Sequence, residues 1–237
     1  MGSLLRSIAL DPSAGWYTRA QAARVLATVD ANGVVADLLR LFFMQTQKEE
    51  LWETALTLES LGRGLAIPSL VNALHDTNPH RRHAAARALG WIPHAGRTAA
   101  IPLMKVLVDR SQPQPVREEA AESLAYLGYV RAVPALISVL NESDVRIRFW
   151  AVFALGRLGG SIGACQQDRQ IVVQALERMI EDDEAPPGNW WSVGQESLAM
   201  LAALTPQYRP ILEAGIATIL NNPEVSPESR RWAESYS

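Results

Sequence analysis

The sequence has little cysteine: Cys165 is the one thiol in 237 residues. No disulfide can staple the fold, and a reducing, cytoplasmic setting is expected. Lysine is almost missing too, with Lys48 and Lys105 standing against 20 arginines. No charge sign dominates, since 22 Lys+Arg and 25 Asp+Glu leave a formal net charge of -3. That balance argues against a protein that coats nucleic acid, where phosphate neutralisation supplies most of the binding. No run approaches the roughly 18 apolar residues of a membrane span, and the N-terminus lacks the apolar core of a signal peptide. No useful stretch alternates with period two, so strands are not expected. What remains is 48% hydrophobic and 20% charged, enough apolar material for a core and too much for wholesale disorder.

An internal repeat organises the chain. Ala66-Ile67-Pro68, Ala100-Ile101-Pro102 and Ala132-Val133-Pro134 each open an apolar helical run, with a second helix about 15 residues later. The second helices align on Leu26, Leu58, Leu89, Leu124, Leu155 and Leu198, and three residues on stand Val29, Leu61, Ile92, Leu127, Leu158 and Leu201. The first helix of each unit is short with Pro near its start, where a missing amide donor costs nothing. The second closes on Gly or a turn residue at Gly62, Gly128 and Gly159. Small residues at Ala22-Ala23, Ala84-Ala85-Ala86 and Ala120-Ala121 let neighbouring helices approach closely. A single pair cannot bury its apolar face alone, so the pairs must stack. The expected fold is all-α: an α-α superhelix of about six helix pairs. It forms one solenoid domain over 1–237, with repeats at about 4–30, 34–62, 66–93, 99–129, 132–159 and 169–203 and a helical cap at 206–236.

Thr18-Arg19-Ala20-Gln21-Ala22-Ala23-Arg24-Val25-Leu26, Arg82-His83-Ala84-Ala85-Ala86-Arg87-Ala88-Leu89-Gly90 and Val116-Arg117-Glu118-Glu119-Ala120-Ala121-Glu122-Ser123-Leu124 resemble the short HEAT-like repeat. The subclass they resemble is that of cyanobacterial phycobilin lyases and phycobilisome-associated proteins, over residues 4 to 203. The second repeat departs from the pattern with Leu51 in place of the usual Arg. The sixth carries Trp191 there, after an insertion that includes residues 182–190. The resemblance implies a protein-binding scaffold, adaptor or chaperone-like factor leaning away from enzymatic activity. Its partner would be another protein in a concave groove, such as a phycobiliprotein or other photosynthetic antenna component, and a hetero-complex fits. The alternative it implies is a phycobilin lyase or lyase subunit that holds an open-chain tetrapyrrole transiently; otherwise no cofactor is expected.

Catalytic constellations are missing from the pattern. None of His75, His80, His83 and His94 is followed by Glu, so the His-Glu pairs that carry iron in HEAT-repeat deoxyhypusine hydroxylases are absent. His80 and His83 share a helix face without a spaced third ligand, which reads as solvated histidines rather than a metal site. Cys165 has no His near it in sequence to lower its pKa and reads as an incidental thiol. Trp190-Trp191-Ser192-Val193 resembles a stretch of HEAT-like alkylpurine DNA glycosylases. Gly194-Gln195-Glu196 supplies no matching Asp and the net charge is negative, which makes that activity an outsider.

Recurring arginines at Arg19, Arg82, Arg117 and Arg148 are expected to serve repeat stacking, reaching the acidic turn of an adjoining unit near Asp76, Asp109 or Asp144. Residues two before and two after each aligned Leu, and those one turn earlier, turn toward solvent or a groove. They give the expected partner-binding set: Trp52, His83, Arg87, Trp91, Glu122, Tyr126, Phe149, Phe153 and Arg157, with Trp190 and Trp191 in the insertion. Aromatics flanked by Arg are the residues that interaction hot spots use, although Trp150 and Phe153 can also tuck between repeats.

Overall fold

A computed structural model describes residues 2–44, 48–61, 66–92, 95–161, 166–188, 191–221 and 227–236. It is all-helical, with no strand among the described residues, and it forms two compact units, Met1–Leu127 and Gly128–Ser237. The first unit holds α1 (Gly2–Leu10), α2 (Trp16–Met44), α3 (Lys48–Ser60), α4 (Ala66–Ala73), α5 (Pro79–Trp91), α6 (Gly96–Val108) and α7 (Gln114–Leu127). The second holds a 3-10 turn (Val130–Ala132), α8 (Val133–Ser138), α9 (Val145–Ser161), α10 (Gln166–Glu177), α11 (Val193–Leu204), a second 3-10 turn (Pro206–Tyr208), α12 (Arg209–Asn221) and α13 (Pro227–Tyr236). Within each unit antiparallel neighbours pack as pairs, and second helices pack on one another, α5 on α7 in the first unit and α9 on α11 in the second. The fold class is an α-α superhelix, a HEAT-like α-solenoid.

α2 is two helices in one run. Asp30 leaves the helical region with φ -145° and ψ 69°, and its carboxylate accepts the Gly33 amide at 2.9 Å, starting the next stretch as an N-cap does. Arg6 of α1 ties this break down, meeting Asp30 at 2.7 Å and Asp37 at 2.9 Å. Val29, just before the break, is 84% exposed although its counterparts Ile92, Leu158 and Leu201 are buried. The break turns it out of the stack.

The expected starts and stops hold in part. Pro79 occupies the first turn of α5, and Asn78 caps it by accepting the His80 amide at 2.9 Å. Gly128 ends α7 with φ 63°, a left-handed geometry that favours glycine. Pro102 instead lies inside α6, which begins at Gly96. Gly159 lies inside α9, which runs on to Ser161. Gly62 lies outside the described residues.

The cores are built from the aligned leucines, with Leu58, Leu89, Leu124 and Leu155 fully buried, and from alanines that let backbones close in. α5 and α7 approach each other closely at Gly90. A Cβ on Gly90 would sit 2.8 Å from the Ser123 Cα and 2.3 Å from its Oγ. Ser123 spends that hydroxyl on the Ala86 carbonyl at 2.9 Å.

Candidate functional site

The recurring arginines do stacking work, by a different route from the one expected. Arg19 donates to the Ala9 carbonyl, Arg82 to the carbonyls of Asp76 and Thr77, and Arg117 to the Leu107 carbonyl. Arg148 donates to the carbonyls of Glu142 and Ser143. Each guanidinium therefore satisfies carbonyls at the end of the first helix of its own pair or in the turn that follows it, and Arg19 also pairs with Glu53 of the next helix pair at 3.5 Å. Two also reach onward, Arg19 to the buried Thr54 at 2.7 Å and Arg148 to Asp182 and Glu184.

That release of the arginines leaves a different set of groups on the exposed side of α3, α5 and α7. Trp52 of α3 is 42% exposed and meets Trp91 of α5 edge-on, with ring centroids 5.5 Å apart. The Arg87 guanidinium lies 5.9 Å from the Trp91 ring centroid. It also donates twice to one oxygen of Glu119 on α7, from Nε at 2.9 Å and Nη2 at 2.7 Å. His83 Nε2 lies 3.2 Å from the same oxygen. Burial pushes the Glu119 carboxyl up, but the hydrogen bonds and positive charge from His83 and Arg87 outweigh it and hold the group below the usual carboxylate range. Farther along α7, the exposed Tyr126 donates to Glu122 at 3.1 Å. Trp52, His83, Arg87, Trp91, Glu122 and Tyr126 thus share one unit, and His83 and Arg87 are joined through Glu119, a residue the sequence pattern did not single out. Glu119 was legible only as an acid in an Ala-rich stretch; its burial, at 5% exposure, is what gives it weight.

In the second unit the aromatics behave differently. Phe149 is a correction: it is 3% exposed and belongs to the core, so it cannot line an open face. It packs against Trp150 and Trp191 at centroid distances of 5.7 and 5.8 Å. Phe153 is partly buried and meets Trp150 at 5.5 Å, while the exposed Arg157 lies over its ring at 5.8 Å. The insertion is pinned rather than loose. Arg148 grips both oxygens of Asp182, at 2.7 and 3.2 Å, and Glu184 at 2.7 Å. Arg146 donates to the Pro187 carbonyl. The amides of Val193 and Gly194 return to the carbonyls of Glu184 and Asp182. A Cβ on Gly194 would lie 2.2 Å from the Ile180 carbonyl oxygen, so the chain closes tightly there. This frame sets Trp191 on Phe149, where its indole N–H donates to the buried Glu196 at 2.8 Å. Trp190, Cys165 and His94 lie outside the described residues.

No group of three or more His, Cys, Asp or Glu side chains is placed to hold a metal ion among the described residues. His83 is committed to Glu119, and His75 and His80 are exposed without such neighbours. A metal of the kind a His-Glu pattern would hold therefore finds no fitting donor set there. No described helix is long and apolar enough to cross a membrane.

Among curated proteins the chain is similar to deoxyhypusine hydroxylase of Drosophila melanogaster, 31% identical over 110 residues, covering 46% of this chain and 36% of that protein. It is also similar to deoxyhypusine hydroxylase of Candida albicans (strain SC5314 / ATCC MYA-2876), 31% identical over 143 residues, covering 59% and 43%. The chain spans less than half the length of these relatives. They overturn the expectation that leaned away from an enzyme with a bilin lyase as the enzymatic option, because they are hydroxylases and point to neither reading. The phycobilin-lyase subclass is likewise unsupported. Among solved structures, a designed armadillo repeat protein in complex with the peptide (KR)4 matches with a TM-score of 0.53 at 18% identity, over 86% of this chain and 99% of that one. That likeness shows the fold. The profile of HEAT repeats matches residues 45–125 and 102–192, well over half of the sequence. The chain belongs to the HEAT-repeat family.

Proposed function

We propose that the first unit is a recognition module that takes a protein segment across α3, α5 and α7. The observation that carries this reading is the linked set of Trp52, Trp91, Arg87 and Glu119. A buried carboxylate fixes an arginine, the arginine lies against an indole, and a second, 42% exposed indole abuts the first. Fixed aromatics beside an immobilised Arg lose little side-chain entropy when a partner arrives, which is what makes such residues hot spots. Tyr126 and Glu122 extend the face along α7 with a second aromatic and an acceptor. The designed armadillo repeat protein with which the chain shares its fold binds a peptide, (KR)4, and that supports the reading by analogy.

The test is selection of binding peptides from a displayed random library on the intact protein, followed by hydrogen-exchange mapping with the selected peptide. The reading requires new protection in α3, α5 and α7. Protection confined to other helices contradicts it.

A second reading, hydroxylation of deoxyhypusine as in the curated relatives, is favoured by their names. Its test is mass detection of a hydroxylated product from a deoxyhypusine-bearing protein. The missing donor set among the described residues weighs against it.

A further inference from the structure

One side of α2 is uncovered at a register where the later second helices are covered. The residue one before the aligned Leu is Thr57, Ala88, Ser123, Ala154 or Ser197 in the later repeats, and each is at most 1% exposed. Ser123 shows what this register faces: it lies against Gly90 of α5, the second helix of the preceding repeat. In the first repeat the same register holds Val25, which is 50% exposed. Tyr17 and Gln21 precede it and Val29 follows it at four-residue spacing, so the four form one stripe along α2. Tyr17 is 63% exposed, Val29 beside the Asp30 break is 84% exposed, and Gln21 is exposed too. The stripe carries no charge.

A stacking face left to water ordinarily carries polar residues, and this one carries two valines and a tyrosine. Leu4 and Trp16 are exposed as well. Five of the thirteen exposed large apolar side chains among the described residues therefore fall within residues 4–29. That density marks a contact surface rather than scattered surface residues.

We propose that this face joins two copies of the chain, with α2 lying antiparallel on α2 of its partner about a two-fold axis. Continuity with the stacking interface calls for a helix there. α3 already packs on another side of α2, where Arg19 donates to Thr54 at 2.7 Å, and α5 and α7 continue the stack. The missing charge favours a second copy, because the stripe asks for no complementary charge and is apolar at both ends. Centred between Gln21 and Val25, the two-fold sets Tyr17 on Val29 of the partner and Gln21 on Val25 of the partner, each contact made twice. Residues 16–29 span only about 20 Å of helix, so the dimer is a weak one that forms in the micromolar range. Head-to-tail stacking is closed off. In the second unit the last second helix, α11, buries Ala199 and Ala202 against Leu212 and Ile216 of α12 and Ala233 of α13. The contact therefore stops at two copies.

The experiment is sedimentation equilibrium on the full chain from about 1 to about 300 µM. The proposal predicts a monomer–dimer equilibrium and no larger species. Val25→Glu and Val29→Glu lie at exposed positions, so their circular dichroism melting matches the wild type while dimer affinity falls at least about tenfold. Ile171→Glu, at an exposed apolar position of the second unit, leaves the affinity unchanged. A wild-type chain that stays monomeric throughout overturns the proposal and leaves the face to a different helix. Folded Val25→Glu and Val29→Glu variants that dimerise as the wild type does also overturn it. So does a dimer that Ile171→Glu separates just as well, because the contact then lies elsewhere.

Discussion

Arg87 and Glu119 lie 32 residues apart in sequence, yet the guanidinium of one donates twice to a single carboxylate oxygen of the other. The pair joins α5 to α7 and fixes the arginine that lies against Trp91. Removing the acid should therefore cost both stability and the geometry of the face. Glu119→Ala is expected to destabilise the protein by about 1–3 kcal/mol, since Arg87 is only partly buried and water recovers some of the loss. Urea denaturation checks the stability loss, and the intrinsic tryptophan emission of the folded variant against the same change in a Trp91→Phe background reads the geometry.

The same pair sets a pH dependence. His83 and Arg87 hold the Glu119 carboxyl below its ordinary range, so the native state binds its proton less tightly than the unfolded chain does. Its contribution is present above the unfolded value and is lost as pH falls through the native one. Stability measured by denaturation should fall on acidification below the ordinary carboxylate range, and Glu119→Gln should flatten that part of the profile.

At the crossing of α5 and α7 there is no room for a methyl group. Gly90→Ala places a carbon 2.8 Å from the Ser123 Cα, a backbone atom that cannot swing aside. A loss of about 1–3 kcal/mol is expected from overpacking. Ser123→Gly should recover part of it by removing the crowding Oγ and Cβ, and a double-mutant cycle reads the coupling.

Much of the fold was legible before any coordinates because one rule repeats. A buried Leu in the middle of the first five second helices, small residues around it and a turn before it can be read wherever local pattern and packing agree, while in the sixth Leu198 is only partly buried. The failures fall where long-range contacts decide. Phe149 and Arg157 are eight residues apart on α9, yet the first is buried by Trp191 from a distant insertion and the second is exposed. The pairing of Asp182 and Glu184 was not legible locally because their partner, Arg148, belongs to another helix pair. Glu119 was missed for the same reason: an acid among alanines carries no sign of the His83 and Arg87 side chains that reach it from α5.

Arg148 offers a direct check of the pinned insertion. Arg148→Met keeps much of the apolar stem but removes every bond to Asp182, Glu184 and the Glu142 and Ser143 carbonyls. A loss of about 2–4 kcal/mol is expected, with faster exchange at residues 182–188. Arg148→Lys should rescue only part of it, because an ammonium cannot serve a bidentate carboxylate and two carbonyls together.

The central claim is that the aromatic face of α3, α5 and α7 binds a protein segment. The most direct measurement is a calorimetric titration of a selected peptide into the wild-type protein and into Trp52→Ala and Tyr126→Ala, both at exposed positions. Circular dichroism melting of each variant confirms folding. The account predicts folded variants whose affinity is at least about tenfold weaker, as hot-spot residues behave. Folded variants that bind the peptide as tightly as the wild-type protein would contradict it.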